Sequence, residues 1–135
     1  ISRINRGVPH VVIEKDNIDD VDVAEIGREI RYHDKFSPAG TNVNFVSHIK
    51  DNTIAIRTYE RGVEDETLAC GTGAAASAII MAFKMKIDSP ISVLTRSGGY
   101  LNIFFKENEF RYCDVYLEGD ARIIYKAKLW EDAWK

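Results

Sequence analysis

The sequence has few prolines and cysteines, no long apolar run and no block of one charge. Three prolines and two cysteines in 135 residues exclude collagen-like repetition and a dense disulfide framework. The longest nearly pure apolar run, residues 74–83, is far shorter than the roughly 20 residues of a membrane-spanning helix. Lysine and arginine do not cluster and the net charge is −3. We therefore expect neither membrane insertion nor nucleic-acid binding.

The rest of the composition is that of an ordinary globular domain. Hydrophobic residues make up 45% and charged residues 29% of the chain, which predicts a single domain over residues 1–135 with a core of its own. No apolar leader opens the sequence, so we expect a cytoplasmic protein. The histidines, cysteines and carboxylates match no zinc, magnesium or calcium pattern, so we expect no metal.

The hydrophobic pattern predicts an α+β fold in which a curved, mostly antiparallel, barrel-like sheet surrounds one central apolar helix. That helix is the Ala-rich, proline-free run 70–86, and a shorter helix, 21–30, follows a cap at Asp19-Asp20. β-branched and aromatic residues predict strands at 8–13, 42–49, 53–59, 91–94, 100–105, 110–117 and 121–125. Turns are predicted at 37–40, 98–99 and 106–108, with a loop at 63–66.

Cys70 is the strongest candidate for chemistry. It stands at the start of the predicted central helix and is followed by Gly71-Thr72-Gly73. The first N–H groups of a helix lack internal partners and stabilise negative charge, so a thiol there has a lowered pKa and becomes a usable base or nucleophile. The small residues let a substrate carboxylate reach the same N–H groups. A buried, inert cysteine is the alternative.

Other residues are weaker candidates. Glu60-Arg61 ends a predicted strand before the loop to Cys70, where arginine can hold a carboxylate and glutamate an ammonium group; a surface ion pair is the alternative. His10 opens a strand and could adjust a nearby thiol, or be purely structural. Cys113 lies in a polar, aromatic strand and is interpreted as structural. The glycines after Cys70 lack the remainder of a phosphate-binding loop or a dinucleotide fingerprint.

Together these residues resemble a known family. Residues 59–62 (Tyr-Glu-Arg-Gly) and 66–74 (Glu-Thr-Leu-Ala-Cys-Gly-Thr-Gly-Ala) closely resemble the signature around the second catalytic cysteine of the diaminopimelate epimerases. Four further segments resemble that family in the same order: 7–10 (Gly-Val-Pro-His), 41–45 (Thr-Asn-Val-Asn-Phe), 97–101 (Ser-Gly-Gly-Tyr-Leu) and 117–121 (Leu-Glu-Gly-Asp-Ala). The resemblance covers nearly the whole chain and corresponds to the C-terminal half of the family's enzymes.

The resemblance implies a fold and a reaction. The family's enzymes have two pseudo-symmetric halves, and the active site lies between them. Their reaction is the cofactor-free interconversion of LL- and meso-diaminopimelate, used in lysine and peptidoglycan synthesis. One thiolate removes the α-proton while the opposite thiol delivers a proton to the other face, which requires a dry cleft and a firm hold on the α-carboxylate.

The resemblance also implies roles for particular residues. Cys70 would be one of the two bases, and the backbone of Gly71 and Thr72 would hold the α-carboxylate. Asn42 and Arg61 would recognise the distal carboxylate and amine, with Glu60 also a substrate-binding residue. As catalytic partners, His10 and Glu60 would tune the thiols.

Two departures from the family pattern leave alternatives open. Many members have Asn where this chain has Val8, so one distal contact is lost or replaced. The N-terminal half and its cysteine are absent, so we expect a folded but inactive half unless that half is supplied, with some homodimerisation through the uncovered cleft face. The second alternative is a racemase of the proline-racemase type. Asn42 and Arg61 argue against it, because a substrate without a distal charged group would not need them. A non-catalytic domain that retains the scaffold is the third.

Overall fold

The computed structural model describes residues 1–5, 7–109 and 111–134. The sheet consists of β1 (Ser2–Asn5), β2 (Pro9–Glu14), β3 (Asn42–Lys50), β4 (Thr53–Glu60), β5 (Asp65–Thr67), β6 (Ile91–Leu94), β7 (Tyr100–Asn108) and β8 (Arg111–Glu118). The helices are α1 (Val23–Arg31) and α2 (Gly71–Met85), with short 3₁₀ helices at Asp34–Phe36 and Glu131–Trp134. Neither α1 nor α2 is long and apolar enough to cross a membrane.

The sheet curls around α2. Its strand order is β1-β2-β3-β4-β6-β7-β8, and β5 pairs with β4 beside this path. The β2–β3 and β4–β6 pairs are parallel, and the other described pairs are antiparallel. Helix α2 contacts strands from β1 at one edge to β8 at the other. The predicted α+β fold, with a curved, mostly antiparallel sheet around one apolar helix, is confirmed.

The two faces of the central strands bury different sets of side chains. Val12, Val46 and Ile54 pack against α2, whereas Val43 and Phe45, which alternate with the first set, pack on the other face with residues of α1. Because successive residues of a strand face opposite sides, residues 42–47 of β3 are buried without interruption. The same alternation puts the even-numbered polar residues of β2, β3 and β4 on the α2 face, where the candidate site forms.

Small residues allow the first half of α2 to be buried, and a side-chain cap sets the start of α1. Helix α2 is buried from Gly73 through Ile79, because small side chains let the surrounding strands approach closely. The Asp22 side chain caps α1 by accepting a hydrogen bond from the Glu25 N–H at 2.9 Å. The predicted cap at Asp19-Asp20 is therefore wrong. Those two residues belong to a turn that the Asn17 side chain holds.

Several other predicted elements differ from the structure. Residues 121–125 form no strand and are exposed; Ile123, Ile124 and Tyr125 favour a strand, but the segment pairs with no described strand. The turn predicted at 106–108 is wrong because β7 continues through Asn108, and the predicted loop contains β5. The sequence pattern does not predict β1. The strand predicted from residue 110 begins at Arg111, and Phe110 itself lies outside the described residues.

Candidate active site

Cys70 is the N-cap residue of α2. Its backbone is extended (φ −132°), and its carbonyl accepts the first intrahelical hydrogen bond, from the Ala74 N–H at 2.8 Å. The side chain is buried, with 7% of its surface exposed, and Sγ lies 3.6 Å from Thr72 Oγ1. The predicted location of this thiol at a helix N-terminus is therefore confirmed.

The N-terminal turn of α2 presents free hydrogen-bond donors. The N–H groups of Gly71, Thr72 and Gly73 precede the first intrahelical bond, and no described residue accepts a hydrogen bond from them. Gly71 and Thr72 are exposed. The helix dipole adds a positive partial charge at the same place. This turn can therefore bind a carboxylate directly beside the Cys70 thiol.

A buried polar network lies behind this turn. The Asn44 side chain donates from Nδ2 to the Val11 carbonyl at 2.9 Å and accepts at Oδ1 from Thr58 Oγ1 at 3.0 Å. The same Nδ2 lies 3.3 Å from His10 Nδ1. Because a carbonyl can only accept, these bonds fix the orientation of the Asn44 amide. The second hydrogen on Nδ2 then faces His10 Nδ1, which must be unprotonated.

His10 is therefore a neutral imidazole whose proton is on Nε2. The side chain is completely buried; burial, followed by the positive charge of Arg61, lowers the pKa of His10 from 6.5 to about 4. Its Nε2 has no hydrogen-bond partner among the described residues. A buried N–H donor without an acceptor is costly, so this atom is suited to a group that the described residues do not supply.

Gly73 brings the network and the thiol together. A Cβ atom at residue 73 would lie 2.4 Å from Asn44 Oδ1 and 3.3 Å from Cys70 Sγ. The first distance is shorter than any real Cβ contact, so only glycine lets α2 approach Asn44 this closely. The residue thus sets the position of the helix start relative to β3.

Asn42, Glu60 and Arg61 lie at the same end of the sheet, where β3 begins and β4 ends. Asn42 is paired in register with His10, and its Oδ1 accepts from the Arg61 backbone N–H at 2.7 Å. The Arg61 guanidinium donates to the Ala39 carbonyl at 3.1 Å, and Glu60 Oε2 accepts from Thr67 Oγ1 at 3.0 Å. All three predicted residues therefore make structural hydrogen bonds.

Topology explains why these residues meet. The parallel strands β2 and β3 begin at the same end of the sheet, and β4, antiparallel to β3, ends there. His10, Asn42 and Glu60 therefore lie at that end, and the close packing at Gly73 places the start of α2 beside them. Neither His10 nor Glu60 makes a hydrogen bond to Cys70 within the part of the chain that the structure describes.

Two residues of this region are not predicted from the sequence, and Cys113, which the sequence pattern indicates is structural, lies elsewhere. Asn44 and Thr58 had no assigned role; their signal is a polar residue on the buried face of an otherwise apolar strand. Cys113 is an exposed free thiol on β8, four residues and roughly 13 Å along the strand from Leu117, which would contact a Cβ on Gly71. In the described ranges, no three histidine, cysteine or carboxylate side chains are arranged to bind a metal.

Comparison with known proteins identifies the family. A family model described as diaminopimelate epimerase matches residues 3–124. The chain belongs to the diaminopimelate epimerase family. Among curated relatives, the diaminopimelate epimerase of Aquifex aeolicus is 48% identical over 130 residues, 96% of this chain and 46% of the relative. That of Hydrogenobaculum sp. is 44% identical, over 93% of this chain and 45% of the relative. The chain thus spans about half the length of the diaminopimelate epimerases that it matches.

A solved structure supports the fold. A phenazine biosynthesis protein of the PhzF family from Bacillus anthracis superposes with a TM-score of 0.55 at 19% sequence identity, covering 78% of this chain and 32% of that protein. At this identity the similarity shows the shared fold alone. The curled sheet around one helix is therefore an architecture that this chain shares with a larger protein.

Proposed function

We propose that this chain is one half of a diaminopimelate epimerase and that Cys70 is one of its two proton-transferring thiols. The observation that carries the proposal is the thiol at the N-terminus of α2, beside three N–H groups that no described residue uses. A carboxylate bound by those groups would hold its α-carbon close to Sγ. That geometry is required for removal of an α-proton.

The proposed reaction begins with the Cys70 thiolate and the α-C–H bond of the bound amino acid. The thiolate takes the proton, and the electron pair of that bond remains on the α-carbon and its carboxylate. The N–H groups of α2 stabilise the charge that develops on the carboxylate. A second thiol then donates its proton to the opposite face, which inverts the centre.

The second thiol is proposed to come from the half of the relatives' length that this chain does not span. The sequence has two cysteines, and Cys113 is exposed on β8. The buried Nε2–H of His10 needs an acceptor from outside the described residues, and a thiolate or the substrate of the assembled enzyme would supply one. Glu60 is proposed to act beside Cys70, with Asn42 and Arg61 at the distal end of the substrate.

A chimera tests this proposal. In it, this chain replaces the matching segment of the Aquifex aeolicus relative, which restores the other half. We expect the chimera to interconvert LL- and meso-diaminopimelate, and we expect the chain alone not to do so because it lacks the second base. Chromatographic separation of the two isomers is the measurement. The Cys113→Ser chimera is the control and should retain the activity. A folded chimera of native size that leaves both isomers unchanged contradicts the proposal.

A further inference from the structure

Strand β5 leads directly to Cys70 and helps to set its position. Its three residues, Asp65, Glu66 and Thr67, are polar, and Asp65 and Glu66 have little intrinsic preference for a strand. Only Leu68 and Ala69 separate the strand from the thiol. The position of Cys70 therefore depends on what holds β5 against β4.

An ion pair holds the face of β5 that points away from α2. Arg57 of β4 donates from Nε to Glu66 Oε1 at 2.7 Å and from Nη2 to Oε2 at 2.8 Å. The two side chains are only 11% and 21% exposed. Arg57 Nη1 also donates to the carbonyls of Ile18 and Val21 at 2.8 and 2.9 Å. One guanidinium thus joins β4, β5 and the turn before α1.

Other contacts hold the chain between β5 and Cys70. On the α2 face, Thr67 donates to Glu60. The Leu68 carbonyl accepts from the Ser97 N–H at 3.0 Å. Arg96 adds a longer contact, 3.7 Å from Nε to Glu66 Oε1, and is half exposed. The paired, partly buried contact of Arg57 with Glu66 is the one with fixed two-point geometry.

We propose that Arg57 and Glu66 are positioning residues that hold the Cys70 thiol over the N-terminal N–H groups of α2 through β5. This inference rests on the proposed function of Cys70. Neither residue contacts the sulfur. Their effect is mechanical: when the pair is broken, β5 is released on one face, and the sulfur moves relative to donors whose influence extends over little more than one helical turn.

The test is the pH profile of Cys70 alkylation by iodoacetamide in this chain, with Cys113→Ser as the background. Arg57→Lys keeps the charge but removes the two-point contact, and Glu66→Gln keeps the shape but removes the charge. For both variants we expect the midpoint to move by at least about half a pH unit, because the sulfur changes its distance from the partial positive charge at the start of α2. Glu66→Gln is nearly isosteric, so it provides the test if Arg57→Lys does not fold.

Arg31→Lys is the matched control. Arg31 binds Glu64 with two nitrogens, at 3.2 and 3.0 Å, and is similarly shielded, but Glu64 belongs to the turn before β5. We expect its alkylation midpoint to equal that of the background. Unshifted midpoints in both Arg57→Lys and Glu66→Gln, or an equal shift in Arg31→Lys, would overturn the positioning role. A folded chimera with the Aquifex aeolicus relative that leaves both isomers unchanged would instead contradict the proposed function of Cys70, and the inference with it.

Discussion

Gly73 is the residue at which packing and chemistry meet. Alanine at a helical position is ordinarily better than glycine by about 1 kcal/mol, but here the added Cβ would lie 2.4 Å from Asn44 Oδ1. Asn44 would have to give up buried hydrogen bonds to Thr58 and Val11, and each buried group left unsatisfied costs about 1.5 kcal/mol. We expect Gly73→Ala to lower the free energy of unfolding by about 2 kcal/mol, measured in urea.

Gly71→Ala is the matched control for that substitution. Its Cβ would approach only the flexible end of Leu117, at 3.2 Å, so we expect a change within about 1 kcal/mol. Equal effects of the two substitutions would show that the close approach of α2 to Asn44 does not constrain the helix.

His10 makes stability depend on pH in a predictable direction. The folded protein binds no proton there until the pH approaches the lowered pKa of about 4, whereas the unfolded chain binds one below about 6.5. The unfolded state therefore binds more protons between those values, and the free energy of unfolding falls as the pH drops through that window. We expect His10 to account for a loss of about 1 to 2 kcal/mol between pH 7 and pH 5.

Urea unfolding of His10→Gln at both pH values measures this contribution. The variant should lose less stability on acidification than the parent chain. His48→Gln is the control because His48 is exposed, and it should behave as the parent does. If His10→Gln and the parent lose stability equally, the imidazole is not buried in its neutral form.

The candidate site could be predicted from the sequence in part. Cys70 with its following glycines is a local pattern, because a helix start depends on neighbouring residues. Asn44 and Thr58 could not be assigned, because their role depends on the register of β2, β3 and β4 and on a helix approaching from far along the chain. A motif identifies the residues of a site, whereas register decides which residues support them.

Strands whose partners determine them were the hardest elements to predict. Residues 121–125 include strand-forming side chains but pair with no described strand, so they remain irregular and exposed. Strand β5 has no apolar residue, yet it forms because β4 supplies backbone partners and Arg57 binds Glu66. Helix α2 was predictable because its apolar, proline-free sequence needs only burial, which any curved sheet around it provides.

The whole chain leaves an apolar segment uncovered after β8. Ile123, Ile124 and Tyr125 are at least 80% exposed, and Leu129 and Trp130, further along the chain, are exposed as well. Such surfaces associate in water. We expect the chain to dimerise at micromolar concentration in sedimentation velocity experiments, and the double variant Ile123→Ser/Ile124→Ser to sediment mainly as a monomer.

Ile1→Ser controls for the removal of exposed apolar area in general, since Ile1 is 91% exposed at the other end of the chain. We expect this variant to dimerise as the parent chain does. A parent chain that remains monomeric throughout would show that the segment after β8 does not drive association.

The most direct test of the central claim is to follow α-proton exchange into D₂O for each isomer separately, in a Cys70→Ala version of the chimera with the Aquifex aeolicus relative. With one base removed, inversion should stop, and exchange should persist only for the isomer whose α-proton faces the remaining thiol. The unsubstituted chimera should exchange both isomers. If the Cys70→Ala chimera still inverts the substrate, or exchanges both isomers at the unsubstituted rates, Cys70 is not one of the two bases.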